Sequence, residues 1–350
     1  MKKVVVFHSY RHPVLAALAA ATYVGRLTAP GPAVADHGAR RGTNRTTGAV
    51  LQRVLRVPGM AGLLAGGRGR LVEVAGGVLY LDRPSRSAVF PRALREVARV
   101  AGVGDRAEVR RVDGPVTPSL RLGAGLWRLP AFRGVAAALL EAGVRTCLPS
   151  LAGAVPTVPP GSIGRPRGEA VAKAVAGARQ PAGSRSPVVV YCCYGSSHTS
   201  VVAAAIHVGR LDPTSLPTRD TVLGLPRFDR VGRSELGRLF PAGRGPAGEE
   251  VYFAGFGPGR RLVHRAALDL LAAAEVPRGQ VLLVDALSRA DWLVRLGGTL
   301  SRGLGLVGVG RPLVAAGIRR VYPALADLVR STQARVGRTP GGQGSEEGRR

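Results

Sequence analysis

A short polar segment near the middle of the chain carries residue types that bind or transfer anionic groups. Directly after the apolar run Val188 to Tyr191, the sequence reads Cys192-Cys193-Tyr194-Gly195-Ser196-Ser197-His198-Thr199-Ser200. A glycine lets the backbone turn closely around a ligand, and hydroxyls at the start of a helix add donors to N–H groups that already favour negative charge. We therefore expect a phosphorylated ligand to bind at Gly195, Ser196, Ser197, Thr199 and Ser200.

The same segment offers candidate catalytic groups. Cys193 is a candidate nucleophile, because a thiolate is favoured at a helix N-terminus, although a free cysteine is often only a small buried apolar residue. His198 is a candidate acid, base or phosphate donor, and its alternative role is to cap the helix. His207 lies within the predicted helix, where we expect it to be packed. The spacing of Cys192, Cys193 and His198 matches no standard metal site, so we predict none.

Two further charged residues follow apolar runs that end at the same predicted sheet edge. Asp285 follows Val281 to Val284, a placement in which an aspartate holds magnesium in nucleotide-hydrolysing folds, and the alternative is an aspartate that caps a turn. Magnesium with a nucleotide is therefore the candidate cofactor. Arg311 is expected to contact the ligand through its guanidinium. Weaker candidates, each of which has a surface ion pair as its alternative, are Arg289, Asp291 and Arg295.

The segment is neither of the two common phosphate-binding motifs. GxxxxGK[ST] requires glycine where Cys192 and Ser197 stand and lysine where His198 stands, and the dinucleotide pattern GxGxxG is also missing. A Ser or Thr helix cap is the simplest alternative interpretation, and it accounts for one hydroxyl rather than four.

Strands that alternate with helices predict the elements that position this segment. The predicted strands are Val188 to Tyr191, Val251 to Ala254, Val281 to Val284 and Leu306 to Val309. The predicted helices are Thr199 to Gly209, Leu262 to Ala274, Arg289 to Leu300 and Pro323 to Arg330. This alternation predicts an α/β fold with a mainly parallel sheet covered on both faces, in a P-loop-like or Rossmann-like topology.

An internal similarity predicts that this architecture occurs twice. Val4 to Leu27 aligns with Val188 to Leu211 without a gap at an offset of 184, and eleven of the 24 positions are identical. The first copy lacks the loop residues and reads HSYRHPVLA from His8 to Ala16. We predict two tandem homologous three-layer domains, 1–155 and 188–330, joined by a Pro/Gly-rich linker, 156–187, and followed by a disordered tail, 331–350.

Composition limits the other classes of function. The net charge is +28, but only three of the 50 basic residues are lysine, and this arginine bias indicates codon preference more than nucleic-acid binding. Aromatic residues make up 5% of the chain, so a base-stacking surface is poorly supported. The three cysteines form no disulfide pattern, and the apolar N-terminus is interrupted, so we expect a cytoplasmic protein without a membrane span.

The second half resembles the uncharacterised proteins of spore-forming Gram-positive bacteria grouped as domain of unknown function 3189. The motifs that carry the resemblance are CYGSSHTSVVAAAIHVG, LPRFD (Leu225 to Asp229), VYFAG, LLVDA, RLGGTLSRGLGLVGVGRP (Arg295 to Pro312) and YPALADLV. The family usually has a second glycine in the loop, where this chain has Ser196. The resemblance implies a bacterial, cytoplasmic protein and names no reaction. The first half looks like a diverged copy of the same domain.

Three functions remain open from the sequence. The first is binding of a phosphorylated ligand or nucleotide by the second domain, with or without catalysis. The second is a non-enzymatic assembly protein in which the two copies form an intramolecular pseudo-dimer and the loop only caps a helix. The third is thiol-based phosphate chemistry at Cys193.

Overall fold

The computed structural model describes residues 3–24, 47–85, 87–155 and 186–338. Most of the predicted linker and the end of the predicted tail therefore lie outside the described residues. The chain divides into two compact units, each with one four-stranded sheet, and the two are described separately.

The sheet of the first half contains β1 (Val4–His8), β2 (Leu71–Ala75), β3 (Val78–Leu81) and β4 (Ala107–Arg111) in the order β2-β3-β1-β4. β1 pairs in parallel with β3 and β4, whereas β2 is antiparallel to β3. The helices are α1 (Pro13–Tyr23), α2 (Thr47–Leu55), α3 (Met60–Leu64), α4 (Val89–Val100), α5 (Pro118–Leu126) and α6 (Arg133–Ala154).

The sheet of the second half contains β5 (Val188–Cys193), β6 (Leu239–Arg244), β7 (Glu250–Gly255) and β8 (Val281–Asp285) in the order β6-β7-β5-β8. β5 is parallel to β7 and β8, and β6 is antiparallel to β7. The helices are α7 (Thr199–His207), α8 (Arg219–Gly224), α9 (Arg260–Ala273), α10 (Trp292–Gly298) and α11 (Val307–Gly337). A π-helical turn, Thr299–Gly303, connects the last two.

The residue types of β5 and α7 explain why they form the centre of this sheet. All six residues of β5 are buried, as expected for a β-branched run between two parallel neighbours. α7 is alanine-rich and buried along its whole length, which lets it pack closely on the sheet. The loop between them, residues 194–198, therefore emerges at the carboxyl end of the central strand, where ligands bind in open α/β sheets.

These features confirm the predicted α/β class with two separate, mostly parallel sheets. The finer prediction of a P-loop-like or Rossmann-like topology is not confirmed by this strand order. Both sheets have the same order and the same strand directions, which is what a duplication predicts. That the first half is a diverged copy stays a prediction.

The predicted strand Leu306 to Val309 is wrong, because α11 begins at Val307. The alternation of valine and glycine there does not mark a buried strand. Instead, glycines allow α11 to lie close to α10: a Cβ on Gly297 would come within 2.7 Å of Val314 N, and one on Gly317 within 2.8 Å of Val294 N. The same helix reaches Gly337 and buries Val336, so the ordered chain extends past the predicted boundary at 330.

Two further details differ from the sequence interpretation. β6 was not predicted, because Pro241 interrupts its pattern; proline is tolerated there since β6 is an edge strand with an irregular register at Pro241. The sequence comparison of the two copies also aligns Val112-Asp113 with Val284-Asp285, and the strand pairing shows that this alignment is wrong in register. Cys192 pairs with Asp285, and its counterpart His8 pairs with Arg111, so the first half has arginine at the position of Asp285.

None of the helices in the described part of the chain is long and apolar enough to cross a membrane.

Candidate functional site

The loop of residues 194–198 is held close to the end of β7. Ser196 has a left-handed backbone with φ of 56°, which is uncommon for a residue with a side chain. Gly255, at the end of β7, makes this turn possible, since a Cβ there would lie 2.5 Å from both N and Oγ of Ser196. Phe256 and Gly257 donate their N–H groups to the carbonyls of Cys193 and Tyr194, which extends the strand pairing into the loop.

The backbone N–H groups of this loop have no acceptor in the part of the chain that the structure describes. Within the described residues, the N–H groups of residues 195–200 form no hydrogen bond, and no side chain caps α7. His198 occupies the cap position, with its carbonyl accepting from Val202 N, but its side chain does not cap the helix. The alternative interpretation of the segment as a simple Ser, Thr or His side-chain cap is therefore wrong.

The corresponding turn of the first half satisfies these groups itself. Ser9 Oγ accepts hydrogen bonds from the N–H groups of Arg11 and His12, each at 3.3 Å, and His12 Nδ1 accepts from Val14 N at 3.4 Å. Burial, reinforced by the positive charge of Arg121, lowers the pKa of His12 to about 4, so the ring is neutral and can accept. In the first half, side chains of the turn thus accept from its backbone N–H groups. In the second half, the corresponding N–H groups have no acceptor among the described residues.

Two loop hydroxyls are buried without a hydrogen-bond partner among the described residues, namely Ser196 Oγ and Thr199 Oγ1. Ser196 is 0% exposed and Thr199 is 1% exposed. A buried hydroxyl without a partner costs stability, so such groups point to a missing ligand or water. By contrast, Ser197 Oγ donates to Gly195 O at 2.9 Å and so stabilises the turn internally.

The two adjacent cysteines have different surroundings. Cys193 Sγ lies 3.0 Å from Ser200 Oγ, at the point where β5 ends and the loop begins. Cys192 Sγ donates to Val284 O at 3.3 Å inside the sheet. Burial, followed by the negative charge of Asp285, raises the pKa of the Cys192 thiol and keeps it neutral. Only Cys193 therefore faces the loop hydroxyls.

His198 is held by a buried carboxylate that the sequence interpretation missed as a site residue. Its Nε2 lies 3.0 Å from Asp229 Oδ1, and Ser301 Oγ donates to Asp229 Oδ2 at 2.5 Å. An ionised carboxylate can only accept, so Nε2 carries a proton and donates it to Asp229. Asp229 N also donates to Ser197 O at 3.0 Å, which ties the carboxylate to the loop.

Two arginines complete this cluster around Asp229. Arg302 Nε lies 4.0 Å from Oδ1, and Arg311 Nε lies 3.7 Å from Oδ2. Burial alone would raise the pKa of the Asp229 carboxyl, but hydrogen bonds from His198 and Ser301 and the nearby positive charges outweigh it and lower the pKa. One carboxylate therefore faces two guanidinium groups and an imidazole, which leaves an excess of positive charge beside the loop.

Arg311 thus reaches the neighbourhood of the loop, although from the first turns of α11 rather than from a loop after a strand. Asp229, Ser301, Arg302 and Gly255 are the residues that sequence reasoning missed. Their only sequence signal was membership of the motifs LPRFD, RLGGTLSRGLGLVGVGRP and VYFAG, because they lie far apart along the chain.

Asp285 acts as the cap of a turn in this structure. Its Oδ1 accepts from Leu287 N at 3.1 Å, and its Oδ2 lies 3.4 Å from Arg260 Nε. One oxygen thus accepts from a backbone N–H and the other faces a guanidinium, and no group of three metal-binding side chains occurs among the described residues. This donor set does not fit a magnesium site at Asp285.

The weaker candidates have structural roles or face solvent. Asp291 caps α10 by accepting from Val294 N at 3.0 Å, and its other oxygen lies 3.5 Å from Arg320 Nε. Arg295 Nε donates to Ala290 O, while Arg289 is exposed. The structure does not bring these three residues to the loop.

His207 is buried, as predicted, at the last residue of α7. Its Nδ1 lies 2.7 Å from the Tyr191 hydroxyl and its Nε2 lies 2.6 Å from Glu249 Oε1. All three side chains are inaccessible to solvent, so this chain of hydrogen bonds stabilises the core rather than contacting a ligand.

Among the comparisons with known proteins, one finds a match, to a family whose activity is not described. No curated protein and no solved structure matches the chain. The family comparison confirms the resemblance seen in the motifs: residues 188–334, the second half of the chain, match the model of the family described as protein of unknown function (DUF3189).

Proposed function

We propose that the second half binds a small phosphorylated molecule, with the phosphoryl group held by the N–H groups of residues 195–200. The observation that carries this proposal is the set of unengaged donors at the N-terminus of α7, beside an excess of positive charge. Backbone N–H groups at a helix N-terminus attract anions through their partial positive charge. Buried hydroxyls on Ser196 and Thr199 supply further donors to the same ligand.

The charged cluster provides the electrostatic part of the affinity. Arg302 and Arg311 retain side-chain exposures of 35% and 32%, so both guanidinium groups are partly accessible to a ligand, although Arg302 also donates to the carbonyls of Asp229 and Val231. A single carboxylate cannot neutralise two guanidinium groups, and a phosphate dianion compensates the remaining charge. His198 is held by Asp229 through Nε2, which fixes the orientation of the imidazole next to the loop.

The class of ligand follows from this chemistry. A nucleotide and a sugar phosphate both contain the phosphoryl group that the loop recognises. Because Asp285 does not fit magnesium, the proposal involves no metal-dependent step. A bacterial source and a cytoplasmic location are part of the proposal. They are supported by the family resemblance and by three cysteines that are free and buried.

Thermal unfolding in the presence of inorganic phosphate, nucleotides and sugar phosphates tests the proposal. A ligand that binds only the native state at about 100 times its Kd stabilises that state by about 2.7 kcal/mol at 25 °C. We expect a concentration-dependent rise in Tm that is lost in the double variant Arg302→Gln, Arg311→Gln. The matched control is Arg330→Gln, which removes an exposed arginine further along α11 and leaves the shift intact.

Two results would contradict parts of the proposal. If none of these compounds raises the Tm of the parent protein, the loop is not an anion site. If the double variant and Arg330→Gln respond equally, the charged cluster does not contribute.

A second candidate function, assembly of copies of this chain with one another, is favoured by a run of exposed apolar side chains in the second half. Its members are Trp292, Leu296, Leu304, Leu306, Val307 and Val309, each between 43% and 66% exposed. Exposed apolar groups that lie close together mark interaction surfaces. Light scattering of the purified protein tests this function, since assembly with itself predicts a mass above one chain that falls with Leu304→Asp. A single-chain mass together with a phosphate-dependent Tm shift supports ligand binding instead.

A further inference from the structure

We propose that Cys193 is a nucleophile that accepts a phosphoryl group from the ligand bound at the 194–198 loop. This inference rests on the proposed function and extends it from binding to phosphoryl transfer. It gives a chemical role to Cys193, the cysteine that lies directly at the start of the loop.

The position of Cys193 is the first observation. It is the last residue of β5, so its side chain lies where the central strand passes into the loop. Its Sγ lies 3.0 Å from Ser200 Oγ in the first turn of α7. A thiolate has no proton to donate, so in that state the Ser200 hydroxyl donates to sulfur. A hydroxyl donor and a helix N-terminus both favour a negatively charged nucleophile.

The loop that follows Cys193 supplies an independent sign of a ligand. Ser196 Oγ and Thr199 Oγ1 are almost completely buried and, among the described residues, have no hydrogen-bond partner. Both belong to the turn that begins at Cys193. A phosphoryl group at this turn satisfies these hydroxyls and the N–H groups of residues 195–200, and its phosphorus then lies beside the sulfur.

The first half shows what the same turn looks like without this chemistry. Ser9 stands at the position of Cys193, and its Oγ accepts from the N–H groups two and three residues further along. The turn is thereby closed by its own side chain. In the second half the corresponding N–H groups have no acceptor among residues 3–24, 47–85, 87–155 and 186–338, although Cys193 Sγ stands at the equivalent position.

Cys192 provides a matched internal control. It is adjacent in sequence and buried, but its thiol donates to Val284 O within the sheet and contacts no loop hydroxyl. The substitution Cys192→Ser therefore tests for general effects of altering a buried thiol at the end of β5.

The proposed reaction has two balanced steps. In the first, the Cys193 thiolate attacks phosphorus of a phosphomonoester, the S–P bond forms, and the P–O bond to the leaving group breaks. With p-nitrophenyl phosphate the leaving group departs as the p-nitrophenolate anion, so this step requires no proton donor. In the second, water attacks phosphorus, the S–P bond breaks, and its electron pair returns to sulfur as thiolate. The proton of water passes to solvent, and inorganic phosphate is released.

The experiment uses the full chain with p-nitrophenyl phosphate. We expect release of p-nitrophenolate and, after rapid quenching, one phosphoryl group on the peptide that contains Cys193. Cys193→Ser is expected to reduce release to the buffer background and abolish labelling, whereas Cys192→Ser retains both. Cys193→Ser should also retain the Tm shift with inorganic phosphate, because the N–H groups and arginines are unchanged.

A second measurement does not depend on the leaving group. We expect iodoacetamide to modify Cys193 faster than Cys192, and inorganic phosphate to slow the modification of Cys193. Ser200→Ala is expected to slow this modification, since Ser200 Oγ contacts and positions the Cys193 sulfur.

The outcomes separate the two proposals. A parent protein that shows a phosphate-induced Tm shift but neither labelling nor phosphate-sensitive alkylation keeps its anion site and overturns the nucleophile. Labelling that persists in Cys193→Ser also overturns it. If the parent protein shows no Tm shift, in contrast, the result contradicts both the proposed function and the nucleophile.

Discussion

The substitution Asp229→Asn tests whether the buried carboxylate organises the site. It keeps the size of the side chain but removes the charge and one of the two acceptor oxygens. The carboxylate is 1% exposed and accepts hydrogen bonds from His198 at 3.0 Å and from Ser301 at 2.5 Å. The substitution therefore weakens both bonds and replaces one acceptor with an N–H₂ donor.

The magnitude follows from the individual contacts. A hydrogen bond to a charged group contributes about 1.5–3 kcal/mol, and an asparagine can preserve roughly one of the two. The guanidinium groups of Arg302 and Arg311 are about a third exposed, so water screens their attraction and each contributes no more than about 1 kcal/mol. We expect Asp229→Asn to lower the free energy of unfolding by about 2–4 kcal/mol at pH 7.

The effect should depend on pH with a defined sign. Because the folded protein lowers the pKa of Asp229, its contribution is present above the unfolded carboxyl pKa of about 4 and is lost as the pH falls through the lower folded value. The difference between the parent and Asp229→Asn should therefore shrink in acid.

Urea unfolding of both proteins at neutral and acidic pH measures this difference. The control is Asp327→Asn, which removes an exposed ion pair with Arg330 on α11 and should cost less than about 1 kcal/mol. Equal losses for the two variants at neutral pH would refute the reasoning, because the buried cluster would then contribute no more than a surface pair.

Three other predictions concern the loop, the core and the first half. Gly255→Ala should cost about 1–3 kcal/mol and abolish the phosphate-induced Tm shift, because its Cβ would lie 2.5 Å from the loop backbone; Gly224→Ala, with open space around it, should do neither. Tyr191→Phe should cost about 1–3 kcal/mol in urea unfolding, because it leaves the buried His207 Nδ1 without its hydrogen-bond partner. His12→Asn keeps a helix cap and should reduce the loss of stability as the pH falls from 6.5 towards 4, since the pKa of His12 is lowered to about 4.

The local sequence pattern was sufficient to predict the strand and the helix on either side of the loop. The β-branched run from Val188 and the alanine-rich stretch after Ser200 are strong signals, because a buried parallel strand and a packed helix require those residue types. The polar segment between them was consequently placed correctly at the end of a strand. Pattern failed at Leu306 to Val309, where the alternation of valine and glycine begins α11, a helix that packs closely on α10 further along at Gly317.

The sequence by itself determined the α/β class, the resemblance of the second half to one family and the position of the loop, since all three depend on residues that are close together along the chain. Only the tertiary structure decided what surrounds the loop. Asp229, Ser301 and Arg311 are separated by up to 82 residues, and folding brings them into one charged cluster. It also decided that Asp285 caps a turn and that the loop N–H groups stay open, because hydrogen-bond partners are set by packing between elements.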